Sequence, residues 1–162
     1  MNAPGTSGSK RRPVVLLAED DEGHVLLTQL AFEQAGLDAE LRVVRDGMEC
    51  MAYLERAGKD ADMPRPDLML LDMHMPRLDG PEVMARIVAS EELRALPVVV
   101  LTTSTDRDEA HRMYALRCNS YVVKPVEFKA FVEAMRQIGN YWLGVATLPT
   151  WEGSARSRSS AP

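Results

Sequence analysis

Apolar residues along this chain fall into two patterns. Five short runs, Val14 to Ala18, Leu41 to Val44, Leu68 to Leu71, Val98 to Thr102 and Tyr121 to Val123, are apolar at nearly every position. Runs that short and that continuous predict strands buried on both faces. Between them the spacing lengthens. Val25, Leu26, Leu30 and Ala31, then Met48, Met51 and Ala52, then Val83, Met84, Ile87 and Val88 recur at helical steps. Strands alternating with helices of this length imply right-handed βαβ crossovers, hence a parallel sheet covered by helices on both faces. The predicted class is α/β, built from five βα units. No internal repeat extends beyond that alternation, and no glycine-rich phosphate cradle of the Walker or dinucleotide type is present.

The last helical pattern carries a long apolar stripe, Phe128, Phe131, Val132, Met135, Ile138 and Trp142, which continues through Tyr141 and Leu143 into GVATLP. One side must pack on the sheet. The stripe runs further than a five-unit domain needs for its own core, and surplus aromatic and aliphatic surface often marks an interface. Phe131, Met135, Ile138, Tyr141 and Trp142 are therefore the candidate contacts of a two-fold dimer. A C-terminal segment folded back on its own domain is the alternative.

Composition narrows the class. A chain of 162 residues, 46% hydrophobic and 27% charged, fits one globular domain and leaves no room for a second. Its 19 basic and 24 acidic side chains give a net charge of −5, which argues against sequence-independent nucleic-acid binding. Cys50 and Cys118 stand alone, without CxxC spacing, and are read as buried free thiols of a reducing cytoplasm. The ends, MNAPGTSGSKRRP and GSARSRSSAP, are rich in small and polar residues. Residues 1–12 and 150–162 are thus expected to be disordered tails around a folded domain at 13–149 that includes a C-terminal helix extension. The run after Arg11 and Arg12 is too short for an export signal, and no stretch is long enough to cross a bilayer, so a cytoplasmic protein without a membrane partner is expected.

Three of the predicted strands end in charge: VVLLAEDD, LMLLDMHMP and SYVVKP. Carboxyl ends of parallel strands converge on one crevice, so Glu19, Asp20, Asp72 and Lys124 should meet there. Three carboxylates at contact distance oppose one another's ionisation, and the cluster implies a divalent metal. Magnesium takes oxygen ligands and keeps several waters; Asp20 and Asp72 can bind directly and Glu19 through water, while manganese suits the same oxygens. A carboxylate can also attack a phosphoryl group to give an aspartyl phosphate, and Asp72 is the candidate nucleophile. The metal, Lys124 and the Thr102 hydroxyl could each take one phosphoryl oxygen. A structural ion cluster is the plainer reading of these charges, and convergence of three strand ends favours a site over it. His24, His74 and His111 share no ligand spacing and read as surface or partly packed imidazoles. Asp21 and Glu22 read as solvated charges at a helix start, and Asp79 as a turn and helix-start residue.

With these residues in place the chain resembles the receiver domain of a two-component response regulator, over about residues 13 to 140. The marks are the acidic pair Glu19 and Asp20, Asp72 in LLDMHMPRLDG, Thr102 after PVVVL, Tyr121, and Lys124 before Pro125. The resemblance implies a flavodoxin-like strand order 2-1-3-4-5. It implies that Asp72 accepts phosphate from a kinase's phosphohistidine, and that the backbone carbonyl of His74 completes the metal shell. It also implies that Thr102 and Tyr121 act as the switch pair and that the Lys124–Pro125 bond is cis. PVVVLTTS, CNSYVVKP and YWLGVATLP further resemble single-domain regulators paired with bacterial and cyanobacterial phytochromes. That subgroup implies a phytochrome-type histidine kinase as donor, no DNA-binding effector domain, and dimers through the last helix. Thr103 departs from many receivers, which carry Ala or Gly there.

Two other classes use similar residues. Aspartyl-phosphate phosphatases carry a second acid two residues after the nucleophile, and His74 holds that place here. Pseudo-receivers bind partners without phosphorylation and usually lose an acid or the lysine, yet Glu19, Asp20, Asp72 and Lys124 are all present.

Overall fold

The computed structural model of the protein describes residues 11–150. The tails expected at 1–12 and 150–162 fall outside the described residues except for positions 11, 12 and 150. Five parallel strands, β1 (Val14–Ala18), β2 (Glu40–Val44), β3 (Leu68–Leu71), β4 (Val98–Thr102) and β5 (Ser120–Val123), lie in the order β2-β1-β3-β4-β5. The helices are α1 (Glu22–Gln34), α2 (Gly47–Arg56), α3 (Gly80–Ala89), α4 (Arg107–Ala115) and α5 (Phe128–Asn140), the last running into a π-helical turn at Tyr141–Val145.

Strand alternation explains why the apolar runs are unbroken. Successive side chains point to opposite faces, and both faces are covered. Val15, Leu17, Leu68, Leu70, Val99 and Leu101 pack with Ala31 and Phe32 of α1 and Phe131, Val132 and Met135 of α5. Their neighbours Leu16, Ala18, Met69, Leu71, Val98 and Val100 pack with Cys50 and Leu54 of α2, Val83 and Ile87 of α3, and Met113 of α4. Cys50 and Cys118 are free and buried, and burial pushes their thiols up to about 12 and about 11.

Four of the five helices start on an aspartate. The side chains of Asp21, Asp46, Asp79 and Asp106 accept the backbone N–H of His24, Glu49, Glu82 and Asp108 at 2.7–2.9 Å. Asp79 and Glu82 form a reciprocal capping box. Each cap satisfies an orphan donor and contributes about 1 kcal/mol. Because every one of these helices follows the carboxyl end of a strand, the caps also fix the loops around the crevice. At the start of α3 the fit is tight: a Cβ on Gly80 would lie 2.7 Å from the Asp72 carbonyl oxygen and 2.9 Å from Met73 Cα. Only a glycine lets α3 seat directly against the loop that carries Asp72.

Two expectations are corrected. No cis peptide bond occurs among the described residues, so Lys124–Pro125 is trans. Trans is the intrinsically favoured isomer of an X-Pro bond, and with it the Lys124 ammonium reaches Glu19 at 2.6 Å. The apolar stripe of α5 is also divided differently. Phe131 and Met135, 5% and 0% exposed, belong to the chain's own core and offer no surface to a partner. Ile138 and Trp142 are partly buried against the same cluster, whereas Tyr141 stays half exposed and meets Trp142 edge to face.

Candidate functional site

The carboxyl edge of the sheet brings the predicted charges together. Glu19 and Asp20 follow β1, Asp72 follows β3, Thr102 ends β4 and Lys124 follows β5. Ligand oxygens of Glu19, Asp20 and Asp72 all lie within 4.8 Å of one another. Glu19 and Asp72 are buried while Asp20 is exposed at the mouth. Backbone pairing sets these depths: Glu19 N–H donates to the Val44 carbonyl at 3.0 Å and Asp72 N–H to the Ala18 carbonyl at 3.0 Å. Lys124 N–H likewise donates to the Thr102 carbonyl at 2.7 Å, which leaves its side chain to turn back over the crevice.

Charge balance is incomplete within the protein. The Lys124 ammonium, 8% exposed, donates to Glu19 Oε2 at 2.6 Å, and Asp21 N–H donates to Glu19 Oε1 at 3.2 Å. Asp72 accepts from the Met73 N–H at 2.9 Å. Burial, reinforced by the Glu19 carboxylate, pushes the Asp72 carboxyl from 3.8 up to about 7, against the opposing pull of Lys124 and the Met73 N–H. The donor set is three hard carboxylate oxygens with one ammonium beside them, which suits a small divalent cation.

Thr102 is fully buried, and its hydroxyl accepts the Ser104 N–H at 3.2 Å. Ser104 is a junction the sequence did not announce. Its carbonyl accepts the Tyr121 hydroxyl at 3.3 Å and its own hydroxyl bonds Glu109 of α4. The predicted switch pair is thus joined through one residue of the loop between them. Tyr121 N–H also donates to the Tyr114 hydroxyl at 3.0 Å. Thr103 is exposed. The His74 ring is exposed and lies 3.4 Å from Glu109. His24, read from sequence as a surface or partly packed imidazole, is partly packed, with Nδ1 3.2 Å from Lys124 Nζ and 3.8 Å from Glu19. Its position in the first turn of the helix that follows the acidic pair was the available signal.

Fold and site together define a phosphoryl-receiving signalling domain. The response regulator receiver domain family matches residues 15–136, so the chain belongs to that family. The "Probable methanogenesis regulatory protein FilR2" of Methanothrix harundinacea is 42% identical over 132 residues, 81% of this chain and 84% of that protein. Response regulator Rcp1 of Synechocystis is 39% identical over 136 residues, covering 84% of this chain and 92% of that one. Its Mn2+-bound crystal structure superposes with a TM-score of 0.76 over 85% of this chain and 99% of that chain. The phosphorylated cyanobacterial phytochrome response regulator RcpA gives a TM-score of 0.79 at 38% identity, over 86% and 100% of the two chains. The protein is a two-component response regulator receiver, homologous to phytochrome response regulators, and such a domain implies a histidine kinase as partner. Its acidic pocket fits the divalent metal that receivers bind. Among the described residues no helix is long and apolar enough to cross a membrane.

Proposed function

We propose that this chain is a cytoplasmic, single-domain regulator that takes a phosphoryl group on Asp72 from a phytochrome-type histidine kinase. It passes the signal on by protein contact or onward phosphotransfer, without binding nucleic acid. The observation that carries this reading is the buried Asp72 carboxyl set between the acids of β1 and the Lys124 ammonium. An Asp72 oxygen attacks phosphorus, the O–P bond forms as the donor's P–N bond breaks, and the imidazole leaves with the electron pair and takes a proton from solvent. Asp20, Asp72 and the His74 carbonyl would hold Mg2+ directly and Glu19 through water, and the cation would supply neutralisation of charge on the phosphoryl oxygens. Lys124 takes a second oxygen and Thr102 a third. To reach it, Thr102 gives up the Ser104 N–H, and Tyr121, bonded to the same residue, follows inward. Phosphate thereby selects a conformer through contacts that only one state makes.

Acetyl phosphate labelling tests the assignment. With Mg2+ the chain gains one hydroxylamine-labile phosphoryl group, and chelator abolishes the gain. Continuous hydrolysis of varied phosphate esters would instead mark a phosphatase, and no label at all a pseudo-receiver.

The same reading includes a two-fold dimer through the end of α5 and the π-helical turn. What supports it is exposed apolar surface there, Tyr141 at 52% and Val145 at 76%, continuous with the partly buried Ile138 and Trp142. A self-complementary patch suffices for such a dimer, and one aromatic anchor can carry about 2 kcal/mol or more. In sedimentation at micromolar protein, Tyr141→Asp combined with Val145→Asp is expected to give monomers that still label. A wild type that is monomeric with and without phosphate overturns the dimer.

A further inference from the structure

Lys124 has two partners, not one. Its ammonium donates to Glu19 Oε2 at 2.6 Å, and His24 Nδ1 lies 3.2 Å from the same nitrogen. An ammonium has three N–H bonds and no lone pair. At that distance the imidazole nitrogen can only be the acceptor, which places the ring proton on Nε2. Two of the three donors are then committed, and one is left for a phosphoryl oxygen.

The base of this second anchor is stiff. His24 N–H is held by Asp21 Oδ1 at 2.9 Å, and its carbonyl accepts the hydroxyl of Thr28, a residue only 1% exposed, at 2.7 Å. The Lys124 backbone is fixed in turn by its bond to the Thr102 carbonyl at 2.7 Å. The pair therefore spans the crevice from α1 to the end of β5, with both ends tied down.

We infer that His24 is a positioning residue for phosphoryl transfer, the neutral acceptor that keeps the Lys124 ammonium in place while Glu19 serves the metal. The reason is competition for Glu19. A divalent cation and an ammonium are both drawn to that carboxylate, so loading the acidic pocket weakens the hold of Glu19 on Lys124. The His24 nitrogen bears no charge and keeps its bond to the ammonium in both states. Without it, Lys124 loses one of two anchors at the moment it must meet a phosphoryl oxygen, and small misplacement of a charge-stabilising group is costly in rate.

The inference rests on Asp72 being the phosphoacceptor, and the experiment separates the two. On the full chain without metal, two-bond 15N–1H spectra near pH ~8 are expected to show His24 as the Nε2–H tautomer with Nδ1 accepting a hydrogen bond. With saturating Mg2+ and acetyl phosphate, His24→Leu is expected to slow the maximal labelling rate at least about threefold, with half-saturating acetyl phosphate unchanged. His24→Gln, which retains a neutral acceptor, should return the rate to within about twofold of wild type. An Nδ1–H tautomer, a Leu variant that labels at the wild-type rate, or a Gln variant no better than Leu each overturns the role of His24. A wild type that takes no label overturns the reading of Asp72 instead.

Discussion

The Asp72→Asn protein is expected to take no phosphoryl group from acetyl phosphate or from a kinase, while gaining stability in the absence of metal. Loss of label follows from chemistry: an amide offers no anionic oxygen to attack phosphorus. Label at wild-type stoichiometry on any other residue of that variant would falsify the assignment. The gain in stability follows from linkage. The folded Asp72 carboxyl is raised from 3.8 to about 7 by burial and by Glu19, so between those values the folded state holds a proton that the unfolded state has released. Stability then falls as pH rises through that window and stays lower above it. Asn carries no such cost. The variant should match the wild type near pH ~4 and melt higher above about pH 7, by roughly 2–4 °C for each kcal/mol recovered. Thermal melts across pH in chelator measure this directly, and a variant that melts lower than wild type at alkaline pH contradicts it.

Asp20→Ala is expected to have the second-largest effect, through the cation. Of the three acids, Glu19 is already engaged by Lys124 and by the Asp21 N–H, so Asp20 and Asp72 are the two free to bind a metal directly. Removing one of two direct carboxylates should weaken Mg2+ or Mn2+ binding by at least about tenfold and lower labelling in proportion. The rise in melting temperature that added metal gives the wild type should shrink correspondingly, since stabilisation by a ligand depends on its concentration relative to its dissociation constant. Titration by Mn2+-induced relaxation and thermal melts at fixed metal provide the two readouts. A variant that labels normally in excess chelator removes the metal from the scheme.

Much of this was legible in the chain. Continuous runs such as VVLLA and LMLL marked the three central strands because both faces of the sheet are covered there, while the edge strands β2 and β5, only partly buried, were also legible and begin one residue earlier than expected. Helix α4 could not be singled out, because Met113 is its only buried residue and one contact makes no period. The charges that end strands were legible for the same topological reason: parallel strand ends converge. Side-chain relations within the loops were not. Nothing in the spacing of Ser104 or Glu109 distinguishes a residue of the Thr102 loop network from one facing water, and His24 offered only its place in the first turn after the acidic pair. The stripe on α5 misled in part, since its period is the same whether Phe131 and Met135 face the sheet or a second copy. Position on the sheet, which period cannot report, sends those two inward and leaves Tyr141 outside.

The bond between Lys124 and Glu19 joins residues 105 positions apart, from the first strand to the end of the last. That separation has a consequence for how the chain folds. A chain synthesised only as far as β4 can already bury the β1 end, yet it has no ammonium for Glu19, so its partly formed sheet carries an uncompensated carboxylate in a low-dielectric setting. Contacts of such long range form late because loop closure precedes their reward. Docking of β5 is therefore the step that makes the intermediate electrostatically whole, and arrest of synthesis before Lys124 yields a species that favours opening and capture by chaperones over waiting in a native-like state.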